Sequence, residues 1–309
     1  MSRCFDTTLR PSPRRSPPNL PDVQWLLDPW DWWVSPIVDN PFMADALIAA
    51  ALTVVCTSVV GTWAILRGLS FLGDALAHGV LPGIAIAWVL GASTLLGAII
   101  AALAMVGGVS LIRSASPLPD DASIGVLFVG FLALAVVVMS TSGGSGDLNR
   151  FLFGSISAVD GSGVTRLAVA AAITLVAAMV LHRALVIGTF DEIQAAMAGF
   201  HPRLTHLALL TLIAMSIVVS FETVGSLLVF AFLIAPPATA SLIAHRVSTI
   251  MATAVGIGCI SAYVGLLVSY HHRTAAGATM ALVTVIVFAL ALLIRSIAKI
   301  GSRSVHAEI

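Results

Sequence analysis

Two ionisable side chains lie inside a long apolar stretch, GLSFLGDALAHGVLPGIAIAWVLG, at residues 68–91. Asp74 and His78 are four residues apart, so a helix would place both on one face. A carboxylate and an imidazole suit manganese, zinc or ferrous iron and argue against copper(I), which prefers sulfur. The pair predicts a metal or proton site; the alternative is an Asp–His pair that only locks two helices together.

The elements that must position this pair are membrane-spanning helices. Of the 309 residues, 59% are hydrophobic and only 10% are charged, whereas soluble domains carry about 25% charged residues. Apolar runs of about 20 residues are long enough to cross a bilayer as helices. The sequence predicts an all-α, multi-pass protein of the cell membrane with nine spans, or eight because the sixth run is short. The runs are 42–66, 68–91, 93–112, 122–141, 164–187, 207–220, 221–245, 249–270 and 277–298.

Small residues recur every four positions along the second span, at Ala75, Gly79 and Gly83. Such a stripe lets another helix approach closely, and Pro82 adds a local break in backbone hydrogen bonding. Two ligands on one helix are too few to replace the water shell of a divalent metal. We therefore expect a two-fold axis beside the stripe, where a second chain adds a second Asp–His pair.

The seventh span is predicted to begin with a carboxylate and to contain two consecutive prolines. Pro236 and Pro237 remove two backbone donors, which predicts a helix break beside a path through the membrane, or a kink for packing. Glu222 is predicted at the outer end of this span, as a gate or mouth residue.

A short amphipathic helix is predicted at Asp191–Gly199, in the longest polar segment on the inner side. The acids Asp191 and Glu192 suit the first turn of a helix. Gly199 would end the helix, and Pro202 would prevent its continuation. The apolar face is formed by Ile193, Ala196 and Met197.

The distribution of basic residues predicts the orientation. If the C-terminus is cytoplasmic, the inner loops hold Arg67, Arg113, Arg183, Arg203 and Arg246, and the outer loops hold only Arg150, Arg166 and Arg273.

Three regions are predicted: an N-terminal extension at 1–41, a transmembrane domain at 42–298 and a cytoplasmic tail at 299–309. The extension contains the tryptophans Trp25, Trp30, Trp32 and Trp33. They favour either a membrane-interface segment or a disordered tail, and both interpretations stay open.

Several functions are excluded by residues that the sequence lacks. The formal net charge is zero, which gives no basis for binding nucleic acid. The single lysine, Lys299, precedes isoleucine, so a phosphate-binding GxxxxGK[ST] loop is absent and any ATP hydrolysis belongs to another subunit. There is no HExxH pattern, so we predict no enzyme. The three cysteines are widely separated, so we predict no thiolate metal site.

Four stretches resemble the permeases of ABC transporters that import manganese, zinc or ferrous iron. They are Leu66–Gly91, Leu148–Val159 (LNRFLFGSISAV), Phe221–Ala240 and the last hairpin from Tyr263 to about Leu293. The resemblance covers nearly all of 44–298. Two details depart from it: Pro237 stands where a small residue is more usual, and the His271–Arg273 loop is more basic than is typical.

The resemblance implies an importer made of two permease chains, a cytoplasmic ABC ATPase dimer and an external metal-binding protein. It implies that Asp74 and His78 lie in the translocation path, with the divalent metal as substrate and no permanent cofactor. Manganese is favoured on likeness alone. The segment that would couple to the ATPase includes Asp191, Glu192, Ala195, Ala196 and Gly199.

A different mechanism also fits these residues. In an ion-coupled secondary carrier, Asp74 and His78 would relay protons or metal without ATP. An associated ATPase distinguishes the importer from the carrier.

Overall fold

The computed structural model describes residues 29–116, 119–141 and 161–306, and this part of the chain is built from α-helices. We number them in chain order: α1 Pro29–Trp33, α2 Ser35–Val38, α3 Pro41–Leu66, α4 Ser70–Gly79, α5 Leu81–Val89, α6 Thr94–Ala115, α7 Asp120–Thr141, α8 Gly161–Phe190, α9 Glu192–Met197, α10 Pro202–Val224, α11 Ser226–Ile243, α12 Val247–His272 and α13 Ala276–His306. The motif at 148–159 lies outside the described residues.

Nine helical segments of the described residues are long and apolar enough to cross a membrane. The prediction of an all-α fold with up to nine spans is therefore confirmed. The sixth span is longer than expected: α10 runs over Pro202–Val224 rather than 207–220. Its first residues are polar, and for this reason hydropathy placed its start too late.

Helix α3 is the centre of the bundle and packs against α8, α10, α11 and α12. Small side chains such as Ala49, Ala50 and Gly61 let these neighbours approach. The hydroxyls of Thr53, Thr57 and Thr62 are buried and donate to carbonyls one turn earlier on α3. This removes the cost of burying them in an apolar region.

The second span is two helices, α4 and α5, divided at Val80, with Pro82 in the first turn of α5. An added Cβ on Gly79 would overlap the sulfur of Met105, and one on Gly83 would overlap the Gly97 carbonyl oxygen. Helix α6 of the same chain thus fills the space beside Gly79 and Gly83. The predicted placement of a two-fold axis beside these glycines is wrong, because a small-residue pattern does not specify which helix will fill it; the axis itself stays a prediction.

The predicted helix break at Pro236 and Pro237 is wrong, because α11 is continuous over Ser226–Ile243, while the alternative of a kink for packing stays a prediction. The two prolines leave the carbonyls of Phe232 and Leu233 without their usual helical donors. Ser58 of α3 donates a hydrogen bond to the Phe232 carbonyl (3.2 Å). The Leu233 carbonyl lies against Gly61, where an added Cβ would overlap it. Helix α3 therefore accommodates both carbonyls, and α11 need not unwind.

We expect Gly61→Ala to destabilise the protein strongly, because the new methyl group would push α3 away from α11. Overpacking of this kind costs about 1–3 kcal/mol. Gly256→Ala is the matched control, since a Cβ there meets open space and alanine favours a helix by about 1 kcal/mol. The midpoint of thermal unfolding in detergent is the measurement. Equal midpoints for the two variants would contradict the close approach of the helices.

Glu222 belongs to the last turn of α10 and not to the seventh span as predicted. The boundary between the two spans is Gly225, whose φ of 89° favours glycine. Because the apolar sequence continues across this residue, hydropathy alone could not place the division.

The end of the N-terminal extension packs on α12. Trp32 stacks on His271 with ring centroids 4.4 Å apart. Tyr263 donates a hydrogen bond to the Trp33 carbonyl (2.6 Å). Residues 29–38 are thus folded against the bundle, while residues 1–28 lie outside the described part of the chain.

Candidate metal transit site

Helix α4 exposes only one narrow face. Ser70, Phe71, Asp74 and His78 are the residues of α4 that are not buried, and a spacing of three to four residues places them in one row. Asp74 is 33% exposed and His78 is 28% exposed. The preceding residue, Gly73, lies about 100° around the helix, where an added Cβ would overlap the Leu233 side chain of α11, so packing closes the face of α4 next to the pair. The sequence-predicted pair is therefore the open part of a helix that is otherwise buried.

The His78 ring has a defined orientation. Its Nδ1 atom lies 3.1 Å from the backbone carbonyl oxygen of Asp74 and 3.6 Å from the Asp74 Oδ1 atom. With the proton on Nδ1, the ring donates to the carbonyl and the Nε2 atom keeps a lone pair for a metal. A hydrogen bond from the non-coordinating nitrogen fixes the tautomer in the same way at many metal sites.

Phe128 of α7 closes one side of the pair. Its ring meets the His78 ring edge-on, with centroids 5.8 Å apart, and meets Phe71 in the same manner at 5.9 Å. Nothing in the sequence predicts a role for Phe128, because it is one aromatic residue among many apolar residues of a span that is mostly exposed.

The described residues of one chain do not complete a metal site. They contain no group of three or more His, Cys, Asp or Glu side chains that could hold a metal ion. Pro236 and Pro237 are buried in α11. The described residues of one chain thus bring one carboxylate, Asp74, and one imidazole, His78, to the site.

The predicted amphipathic segment forms helix α9. Asp191 is its N-cap, and its Oδ1 atom accepts from the backbone N–H groups of Ile193 and Gln194, both at 2.9 Å. Ala195 is buried and faces the bundle, whereas Ile193 and Met197 are 74% and 78% exposed. Gly199, with φ of 84°, ends the segment. The side chain of Glu192 is not among those described.

The sequence matches the ABC 3 transport family over residues 39–295. It is 34% identical over 252 residues to the manganese transport system membrane protein MntC of Listeria innocua, a match that covers 82% of this chain and 90% of that relative. It is 30% identical over 263 residues to a probable iron transport system membrane protein of Haemophilus influenzae, covering 85% of this chain and 97% of that relative.

A solved structure agrees with these relatives. PsaBC from Streptococcus pneumoniae, in complex with Fab, has a TM-score of 0.75 at 30% identity and covers 84% of this chain and 94% of that chain. The resemblance read from the sequence motifs is confirmed. The chain belongs to the ABC 3 transport family and is a multi-pass, metal-transport permease of the cell membrane.

Proposed function

We propose that this chain is the permease of an ATP-driven importer of divalent transition metals, with manganese as the favoured substrate. The observation that carries the proposal is the open Asp74–His78 face within an otherwise buried helix. An ionisable pair inside a membrane is expensive when lipid covers it. We therefore expect a water-filled path or a second protein chain, and not lipid, to cover this face.

In the proposed site, a second permease chain supplies a second Asp–His pair across a two-fold axis. The axis runs beside the Phe71–Asp74–His78 face, because the small-residue stripe is already occupied. Two carboxylates and two imidazoles give four ligands, which suit zinc and leave manganese room for water. Two carboxylates also balance the charge of a divalent cation where an unpaired charge would be costly.

The choice of metal rests on ligand chemistry and on the relatives. Carboxylate and imidazole bind manganese, ferrous iron and zinc. The relatives named above are described as manganese and iron transporters. Manganese is preferred over iron because the relative described as a manganese transporter is 34% identical and the one described as an iron transporter is 30% identical, and zinc is the third candidate.

The proposed partners are a cytoplasmic ABC ATPase dimer, a second permease chain and an external metal-binding protein. The ATPase is a separate subunit, since the only lysine is not in a phosphate-binding loop. Helix α9 presents an exposed apolar face suited to that ATPase. Helix α9 precedes the start of α10, and Glu222 lies in the last turn of α10. Glu222 is proposed to lie at the outer mouth, where the external protein would deliver metal.

Uptake into proteoliposomes containing the complete complex tests the proposal. We expect manganese accumulation that requires ATP and the binding protein, and we expect excess ferrous iron to compete. Accumulation driven by a proton gradient without ATP would instead support the secondary carrier, in which Asp74 and His78 relay protons or metal.

A further inference from the structure

A basic cavity lies where α6 ends and α10 begins, away from the Asp74–His78 pair. Its volume is about 490 Å³, and the residues that line it are Ser110, Arg113, Ser114, His201, Pro202, Arg203 and His206. Among the described residues that line it there are two guanidinium groups, two imidazoles and two hydroxyls, and no carboxylate. Without a carboxylate among these side chains, the cavity offers no negative charge to the cation that is proposed to be transported.

The chemistry of the lining matches a phosphate group. Arginine binds phosphate through parallel N–H donors, and Ser110 adds a hydroxyl beside Arg113 and Arg203. The Ser114 hydroxyl already donates to the Leu111 carbonyl. The first turn of α10 starts at the cavity, where its dipole favours an anion, whereas α6 ends there with a dipole that opposes one. The preference for an anion therefore rests on the basic side chains and not on the helix ends.

Exposed apolar side chains lie in the same helical turns as the residues that line the cavity. Leu111 of α6 is 68% exposed and Leu204 of α10 is 63% exposed. A free phosphate or a nucleotide would make no use of them, whereas a phospholipid would lay its acyl chains on such leucines. Basic pockets between membrane helices on the cytoplasmic side are known to hold anionic headgroups.

We propose that this cavity is a binding site for the phosphate of an anionic phospholipid of the inner leaflet. Arg113 and His206 also line a second cavity of about 280 Å³, together with Arg67 and Asp191. Asp191 is the N-cap of α9, so the bound headgroup would sit close to the helix proposed to contact the ATPase.

The test uses the complete complex, purified after reconstitution in phosphatidylcholine vesicles with or without phosphatidylglycerol. Native mass spectrometry measures the phosphatidylglycerol that each complex retains. We expect Arg203→Gln and Arg113→Gln each to lower lipid retention roughly fivefold. This factor corresponds to the attraction of about 1 kcal/mol between one basic residue and anionic lipid at a membrane surface. Arg183→Gln is the control, because Arg183 is exposed on α8 and lines neither cavity. Arg203→Lys should lie between wild type and Arg203→Gln.

A second arm measures binding of inorganic phosphate to the complex in phosphatidylcholine nanodiscs by phosphorus NMR. Loss of lipid retention in the two glutamine variants alone supports the proposal. Arginine-dependent binding of inorganic phosphate without lipid retention would overturn the assignment to lipid. Equal retention in Arg203→Gln, Arg113→Gln and Arg183→Gln would overturn the site itself. Loss of the ATPase subunit from Arg203→Gln would show that the cavity contacts protein instead.

Discussion

Manganese uptake by the complete complex is expected to fall at least about a hundredfold when Asp74 or His78 is replaced by alanine. Loss of an outer-shell partner alone costs about 10–100-fold at metal sites, and these residues are proposed as direct ligands. Both side chains are partly exposed, so their removal leaves no cavity in the packed core. Assembly and ATP hydrolysis should therefore persist while transport stops.

The conservative variants separate a metal site from a structural pair. Asp74→Asn and His78→Gln keep hydrogen-bonding ability but remove the carboxylate charge and the imidazole nitrogen. A pair that only locked helices would tolerate them. The geometry already counts against such a lock, because both residues are on α4 and His78 Nδ1 is closer to a backbone carbonyl than to the carboxylate. Ser70→Ala, on the same face of α4, is the control; wild-type uptake by Asp74→Asn would contradict the site.

The sequence was sufficient to predict up to nine membrane spans and the shared face of Asp74 and His78, although not the division between the sixth and seventh spans. Apolar runs about 20 residues long specify membrane helices, and a four-residue spacing specifies one face. What the sequence could not show is which face of α4 stays open. That depends on Leu233, more than 150 positions away in the chain, which fills the space at Gly73.

The prolines illustrate the same limit. Two missing backbone donors are visible in the sequence at Pro236 and Pro237, and a break was the expected consequence. The outcome depends instead on Ser58 and Gly61, because a distant hydroxyl and a missing side chain accommodate the two carbonyls. The sequence does not show which distant residues accommodate these two carbonyls, because that depends on how the helices pack.

Helix α9 is expected to couple the permease to the ATPase. Ile193, Ala196 and Met197 form an exposed apolar face, and Ala195 anchors the opposite side in the bundle. An aspartate at position 196 would place an unpaired charge in the proposed contact, and burying such a charge is costly. We expect Ala196→Asp to lower ATP-dependent uptake about tenfold or more while membrane insertion is unchanged.

The control for this variant adds the same charge beside the apolar face. Gln194 is exposed and lies about 100° around the helix from Ile193, so Gln194→Asp should retain most of the uptake. The ratio of metal transported to ATP hydrolysed, measured in proteoliposomes, distinguishes uncoupling from loss of the ATPase. Because α9 is short and bound to the bundle through Ala195, a charge on its outer face need not unfold it. Normal uptake and a normal ratio in Ala196→Asp would show that this face makes no contact needed for coupling.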